Sequence, residues 1–202
     1  MKFDLLVFDL DGTLVDSAPD ISASLRRVLE RMGRAPISHD RVVLAIGSGV
    51  KKLIERTAAP PHEPVVDAFM KEYGEHLLDQ TKLFPGVAET LARLPGRKIV
   101  LSNKPERMSR SVVEGLGIAR HFEGVYGGDS FAARKPDPAA FRAAVGEARD
   151  VLLVGDSGVD AETARNGGAR FCAVSYGYVK PGELDGADYR IDRFEELLDL
   201  LR

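Results

Sequence analysis

The stretch Phe3-Asp4-Leu5-Leu6-Val7-Phe8-Asp9-Leu10-Asp11-Gly12-Thr13-Leu14 decides how this chain is read. Phe3 to Phe8 is almost wholly apolar, the pattern of a short strand buried on both faces. The run stops at two carboxylates one residue apart, and Gly12 then permits a sharp turn. A turn opening at Leu10 aims Asp9 and Asp11 at one point in space. Carboxylates at the C-terminal end of a buried strand lie where open α/β sheets place their ligands. Taken alone, Asp-x-Asp-Gly reads equally as an ordinary turn with Asp9 as a cap. The rest of the chain has to decide.

Composition narrows the class. A chain of 202 residues can bury a sizeable core, as one domain or one domain with a modest insertion. Hydrophobic residues at 44% and charged residues at 29% are those of an ordinary globular protein. A net charge of −3 offers no basic footprint for nucleic acid. No apolar run reaches the roughly 20 residues of a membrane helix, and the N-terminus lacks a signal-peptide pattern, so a cytoplasmic protein with no membrane partner is expected. Cys172 is the single cysteine and lies in the apolar run Phe171 to Val174, so it reads as a buried strand thiol.

The pattern turns helical after the first turn. Ile21, Leu25, Val28, Leu29 and Met32 recur at helix spacing between Ser17 and Met32, with Gly33 as a stop. Ser17 followed by Asp20 resembles an N-terminal cap. Ser38 to Ala45, Val50 to Ala58 and Val65 to Leu78 read as further helices, broken by Gly47-Ser48-Gly49 and by Pro60, Pro61 and Pro64. Residues 16–80 thus read as an inserted all-α domain without a strand. From Leu83 onward apolar strands (98–101, 125–126, 151–154, 170–174, 189–191) alternate with helices (87–94, 105–115, 138–148, 159–166, 194–201). The expected fold is α/β, a doubly wound parallel sheet formed by residues 1–15 and 81–202 with the helical insertion between them.

Polar groups collect where those strands end. Ser102 and Asn103 follow Lys98-Ile99-Val100-Leu101, and Asp156 and Ser157 follow Val151-Leu152-Leu153-Val154-Gly155, with Asp160 one turn onward. Lys135 stands between them in sequence. In a doubly wound sheet these ends converge on one crevice. Each residue alone has a plainer reading as a cap, turn or loop charge, but three buried strands ending this way point to one site. Asp9, Asp11, Asp156 and Asp160 would crowd carboxylates that repel by roughly 4 kcal/mol at about 4 Å. Such a cluster calls for a proton or a cation, and all-oxygen ligands favour Mg²⁺. The cation, Lys135 and the Ser102 hydroxyl together suit a phosphoryl group, with one Asp free as nucleophile and another as acid and base.

These residues resemble the four motifs of the haloacid dehalogenase superfamily, in the same order: Asp9-Leu10-Asp11-Gly12-Thr13-Leu14, Ser102, Lys135, and Gly155-Asp156-Ser157-Gly158-Val159-Asp160. The helical insertion is similar to that superfamily's first class of cap domain. Phe84-Pro85-Gly86-Val87, Ser102-Asn103-Lys104-Pro105 and Arg134-Lys135-Pro136-Asp137-Pro138 resemble its phosphoglycolate phosphatase branch. The resemblance implies Asp9 as the nucleophile that becomes phosphorylated and Asp11 as the general acid and base. It implies Mg²⁺ held by Asp9, the main-chain carbonyl of Asp11, and Asp156. Ser102 would bind the phosphoryl group, Lys135 would stabilise its charge and that of the nucleophile, and Asp160 would act from behind the residues that touch the substrate or through Lys135. Thr13, Asn103 and Ser157 are supporting groups. The superfamily's dehalogenases lack the second Asp of the first motif, so Asp11 favours phosphate chemistry.

The partner expected is a small phosphorylated metabolite, with 2-phosphoglycolate favoured. Gly47-Ser48-Gly49 reads equally as an anion nest for a substrate carboxylate or as a plain turn between helices. Arg41, Lys51, Lys52 and Arg56 are further candidates to reach the cleft, though charges at helical spacing are usually solvated. His39, His62, His76 and His121 show no metal-ligand spacing. The same core motifs also fit a pyrophosphatase, a sugar-phosphate phosphatase or a phosphomutase. A phospho-acceptor receiver domain or a ligand-binding homologue is the reading from another class. Receiver domains need neither Asp11 nor the insertion. The sequence carries no reading of oligomeric state.

Overall fold

A computed structural model describes residues 3–201, so the outer limits of the expected core, at 1 and 202, lie outside the described residues. Its centre is a six-stranded parallel sheet. β1 (Leu5–Phe8) lies between β4 (Arg97–Leu101) and β6 (Val151–Gly155); β5 (Gly124–Tyr126) pairs outside β4, and β7 (Arg170–Val174) and β8 (Tyr189–Ile191) continue beyond β6. The chain winds from β1 outward through β4 to β5, then returns to β6 and winds the other way. β1 is therefore where the winding direction reverses, and a crevice opens beyond its C-terminal end.

Both faces of the sheet are buried, which is why its strands read as continuous apolar runs rather than alternating ones. Leu6, Phe8, Val100, Val154 and Cys172 face one half of the core; Leu5, Val7, Ile99, Leu153 and Ala173 face the other. Phe8 is fully buried, with its ring 6.1 Å from that of Phe122 and 5.8 Å from that of Phe194. Burying a phenylalanine in this way contributes about 2–3 kcal/mol. The second half of the core is closed by α7 (Pro138–Val145) and α8 (Gly158–Gly167), through Phe141 and Ala164. On the first lie α5 (Val87–Arg93), α6 (Glu106–Gly115) and the chain's end. There a single helix over 194–201 was expected; a 3₁₀ turn, Phe194–Glu196, precedes a short α9, Leu197–Leu200.

Between Asp16 and Lys82 stand four helices: α1 (Ala18–Arg31), α2 (His39–Val43), α3 (Val50–Thr57) and α4 (Glu63–Glu75). Their apolar faces (Leu25, Val28, Leu53, Ile54, Val65, Phe69) pack on one another and continue into the first half of the core. Pro64 does not break the chain before α4 but occupies its first turn, where its missing N–H is no loss. A strand also appears where none was expected: β2 (Val15–Asp16) pairs antiparallel with β3 (Lys82–Leu83), tying together the two points where the chain leaves and rejoins the sheet. Two residues are too few for a period to show in sequence.

The expected Ser17–Asp20 cap does not form. The Ser17 hydroxyl donates instead to Asp11 Oδ1 at 2.6 Å. Asp20 Oδ2 accepts from the Gln80 and Thr81 N–H groups and from the Thr81 hydroxyl at 2.8–3.0 Å. α1 is capped from far away: the Tyr178 hydroxyl accepts from the Ser17 and Ala18 N–H groups, both at 2.8 Å.

Candidate active site

Register brings the strand ends level. Phe8 pairs with Val100 and Val154, so Asp9 emerges between the ends of β4 and β6, with Ser102 and Asp156 one residue further on. Beyond Asp9 the chain folds over itself: Thr13, Leu14 and Val15 all donate to the Leu10 carbonyl. Gly12 has φ 92, and a Cβ there would stand 2.2 Å from Asp156 Oδ2. Gly177 serves the same space from the other side, where a Cβ would stand 2.6 Å from that oxygen. Two glycines thus leave the room that the Asp156 carboxylate fills.

Asp9, Asp156 and Asp160 can each place one carboxylate oxygen within 4.8 Å of the other two, and all three are buried. Lys135, whose side chain is 2% exposed, donates to Asp9 Oδ1 at 2.8 Å and to Asp160 Oδ1 at 2.6 Å. Asp160 Oδ2 is taken by the Ser157 hydroxyl and N–H, and Ser157 Oγ accepts from the Asp160 N–H, a reciprocal cap that starts α8. Asp156 has neutral partners, the Thr13 hydroxyl at 3.1 Å and the Tyr178 N–H at 2.6 Å.

One ammonium therefore serves three buried carboxylates. Burial pushes the Asp9 carboxyl up to about 7; Lys135 opposes the rise and Asp160 adds to it. Burial, then Asp160 and Asp9, push Asp156 well above the usual carboxylate range. For Lys135 burial works downward, but Asp160 and Asp9 outweigh it and hold the ammonium above its ordinary value. The Lys135 ammonium, shared with Asp160, opposes the burial-driven rise at Asp9 without reversing it. With Lys135 charged, the ionised cluster is short of two positive charges. Its donors are hard oxygens, with no histidine or cysteine in the group, so it fits a hard divalent cation. Asp160 is engaged on both oxygens by Lys135 and Ser157, Asp156 on both by the neutral Thr13 hydroxyl and Tyr178 N–H, and Asp9 accepts from Lys135 on Oδ1.

Asp11 departs from the expected four-carboxylate cluster. Its carboxylate turns to Ser17 and to Lys104, whose Nζ lies 3.1 and 3.3 Å from its two oxygens. A cation near Asp11 relieves the crowding that sequence reasoning had assigned to all four. Lys104 also contacts the hydroxyl of Tyr73 on α4, with Nζ 4.4 Å from the ring centroid. Burial, then Asp11 and Asp20, raise the Tyr73 hydroxyl, which stays protonated. Lys104 and Tyr73 were both missed as site residues. Lys104 lies inside the quoted Ser102-Asn103-Lys104-Pro105, which was the one available signal.

A cavity opens over these groups. Asp9, Asp11, Ser102, Asn103 and Lys104 line one side, and Ile21, Ile46, Gly47, Gly49, Val50, Leu53, Phe69 and Tyr73 the other. Asn103 Nδ2 donates to the Gly47 and Lys135 carbonyls, both at 3.1 Å, joining the glycine loop to the floor, while its buried Oδ1 has no partner among the described residues. Ser48 does not line the cavity, and neither do Arg41, Lys51, Lys52 or Arg56, which are exposed. Those four lie on the faces of α2 and α3 turned away from the packed interior.

Residues 6–174 match the haloacid dehalogenase-like hydrolase family model. A phosphoglycolate phosphatase from Cereibacter sphaeroides is 40% identical, covering 98% of this chain and 97% of that protein. One from Chromobacterium violaceum is 32% identical over 98% and 96%. Among solved structures, that of a predicted phosphoglycolate phosphatase from Haemophilus somnus superposes with a TM-score of 0.89 at 29% identity, covering 100% of this chain and 99% of that one.

Proposed function

Because this chain belongs to the haloacid dehalogenase-like hydrolase family, we propose that its cavity hydrolyses small phosphate monoesters, 2-phosphoglycolate foremost, through a phosphorylated Asp9. The observation that carries the reading is Asp9 itself: a buried carboxylate at the switch point of the sheet, paired with Lys135 and two residues from a second carboxylate facing the same cavity. Nearly full-length similarity to phosphoglycolate phosphatases supports the substrate.

In this mechanism an Asp9 oxygen attacks phosphorus, and the ester P–O bond breaks as Asp11 gives its proton to the leaving oxygen. Asp11 then takes a proton from water, which attacks phosphorus and releases phosphate, returning Asp9 as the free carboxylate. Ser102 donates to a phosphoryl oxygen, and Lys135 compensates charge on the phosphoryl group and on Asp9. Asp9, the main-chain carbonyl of Asp11, and Asp156 would hold Mg²⁺, with Thr13 and Tyr178 orienting Asp156 and Ser157 and Asp160 orienting Lys135. When bound, the ion neutralises charge on the phosphoryl oxygens. Residues 16–80 act as a cap on a core of 1–15 and 81–202. Gly47-Ser48-Gly49, fixed by Asn103, close the leaving-group end. No helix among the described residues is long and apolar enough to cross a membrane, and the reading places the enzyme and its small-metabolite substrate in the cytoplasm.

The test is phosphate release from 2-phosphoglycolate, hexose phosphates, pyrophosphate and an aryl phosphate, with Mg²⁺ and with EDTA. Mg²⁺-dependent turnover favouring 2-phosphoglycolate is expected. Preference for another ester would remove the substrate, and inactivity of the folded protein on every compound would remove the enzyme.

A further inference from the structure

We propose that the Lys104 ammonium determines specificity for an anionic leaving group, selecting phosphate monoesters of 2-hydroxycarboxylates by pairing with the carboxylate two bonds from the ester oxygen. The inference deepens the phosphatase reading and rests on it, since the role of Asp11 locates the leaving oxygen.

Lys104 is held where a lysine rarely stays. Its side chain is 3% exposed, whereas lysines usually extend their ammonium to water. Its loop is fixed at both ends of the peptide unit: the Lys104 N–H donates to Ser102 Oγ at 3.2 Å, and its carbonyl accepts from the Gly128 N–H at 2.9 Å. Among the described residues lining the cavity it carries the one positive charge, opposite the apolar side chains of Ile46, Val50, Leu53 and Phe69. Lys135 is engaged with Asp9 and Asp160 and does not line this cavity, so Lys104 is the ammonium that faces it.

Position sets the chemistry. Nζ of Lys104 lies 3.1 and 3.3 Å from the oxygens of Asp11, the group that protonates the leaving oxygen. A leaving oxygen within reach of Asp11 is therefore close to Lys104. In a 2-hydroxycarboxylate ester the carboxylate is separated from that oxygen by one carbon and falls beside the ammonium. Tyr73, which touches Lys104 from α4, offers its hydroxyl to the same carboxylate. With a neutral leaving group the Lys104 ammonium keeps Asp11 as its counter-charge but gains no charged partner from the substrate.

The experiment compares kcat/KM for 2-phosphoglycolate and for its neutral isostere, the phosphate ester of glycolamide, with Mg²⁺, in wild type, Lys104→Gln and Lys104→Arg. Wild type should prefer the acid by about 30-fold or more, the scale of a charge-assisted hydrogen bond. In Lys104→Gln that preference should collapse to about threefold or less, chiefly through the KM of the acid, and Lys104→Arg should retain part of it. Preference kept intact in Lys104→Gln would overturn the proposal and place the carboxylate elsewhere, at the glycine loop first. Equal losses on acid and amide would overturn it as well, leaving Lys104 as a partner of Asp11 alone. If Lys104→Gln does not fold, Lys104→Arg carries the test: the KM of the acid should rise about fivefold more than that of the amide, and equal KM changes would overturn the assignment. Wild type that hydrolyses neither compound removes 2-phosphoglycolate as the substrate and this assignment with it. Wild type that turns over both equally keeps the phosphatase and removes Lys104.

Discussion

The strand-end floor of the cavity gathers Asp9, Asp156, Asp160 and Lys135, whereas the wall built by residues 21–73 presents Ile21, Ile46, Val50, Leu53 and Phe69. The floor is fixed by a six-stranded sheet through residues adjacent in register, and nearly every oxygen on it has a named donor. The wall is joined to the floor by few polar contacts, among them Lys104 to Tyr73, Asn103 to Gly47, Ser17 to Asp11 and the start of α1 to Tyr178. Rigid donors aimed at a reacting centre suit bond making and breaking, which tolerate little displacement. An apolar wall with sparse polar contacts suits choosing among leaving groups. Damage to the floor should therefore appear in kcat and damage to the wall in KM.

The sharpest break in that comparison is Asp9→Asn, which keeps the shape and removes the proposed nucleophile. Turnover should fall by about 10⁴-fold or more, with the protein folded and no phosphate transferred to it. Stopped-assay phosphate release together with mass measurement of the intact protein checks both. Asp11→Asn should cost less, about 10²- to 10⁴-fold, because it removes proton transfer rather than the attacking atom. With an activated aryl phosphate, whose leaving oxygen needs no proton, phosphorylated protein should accumulate; wild-type turnover of an alkyl ester would remove the acid–base role.

The cation provides the next test. Asp9 titrates at about 7 in the cation-free protein, raised by burial from 3.8. A ligand carboxylate must be ionised, so as pH falls through about 7 a proton competes with the cation. Affinity should then weaken by up to about tenfold per pH unit. The stability of the cation-free fold responds to pH in the opposite sense. Between about pH 4 and 7 the unfolded chain has lost this proton while the folded protein keeps it, so the cation-free fold loses stability as pH rises. Thermal melting should accordingly show a larger Mg²⁺-dependent rise at pH 8 than at pH 5. An equal rise at both values would separate Asp9 from the cation.

The floor was more legible in the sequence than the wall, for a local reason. Asp9, Ser102 and Asp156 each follow an apolar run, so the strand that buries them also announces them. Asp160 and Ser157 cap one helix within four residues of each other, again a local pattern. Lys135 follows no strand; it was singled out as a charge between the Ser102 and Asp156 strand ends and then by the resemblance to a known family. Lys104 had no local mark: a lysine in a loop reads as solvated, and its burial depends on Tyr73, 31 positions earlier, folding against it. The misread cap at Ser17 has the same origin. Nothing near residue 17 signals a tyrosine 161 positions later, and its presence freed the serine hydroxyl for Asp11.

That tyrosine gives the smallest and most local test of how floor and wall are joined. The Tyr178 hydroxyl accepts from the Ser17 and Ala18 N–H groups and donates to Asp16 Oδ1 at 3.0 Å, while its own N–H holds Asp156. Tyr178→Phe spares the Asp156 contact and removes the cap from α1, the first helix of the wall. Loss of a cap costs about 1–2 kcal/mol, which for a chain of this size lowers Tm by roughly 3–6 °C. The helix start that loosens carries Ile21 on the cavity wall, so the KM for the substrate should rise by more than kcat falls. An unchanged Tm would mean that the Ser17 hydroxyl returns to cap its own helix. In that case Asp11 loses a hydrogen bond instead, and the deficit moves from KM to kcat.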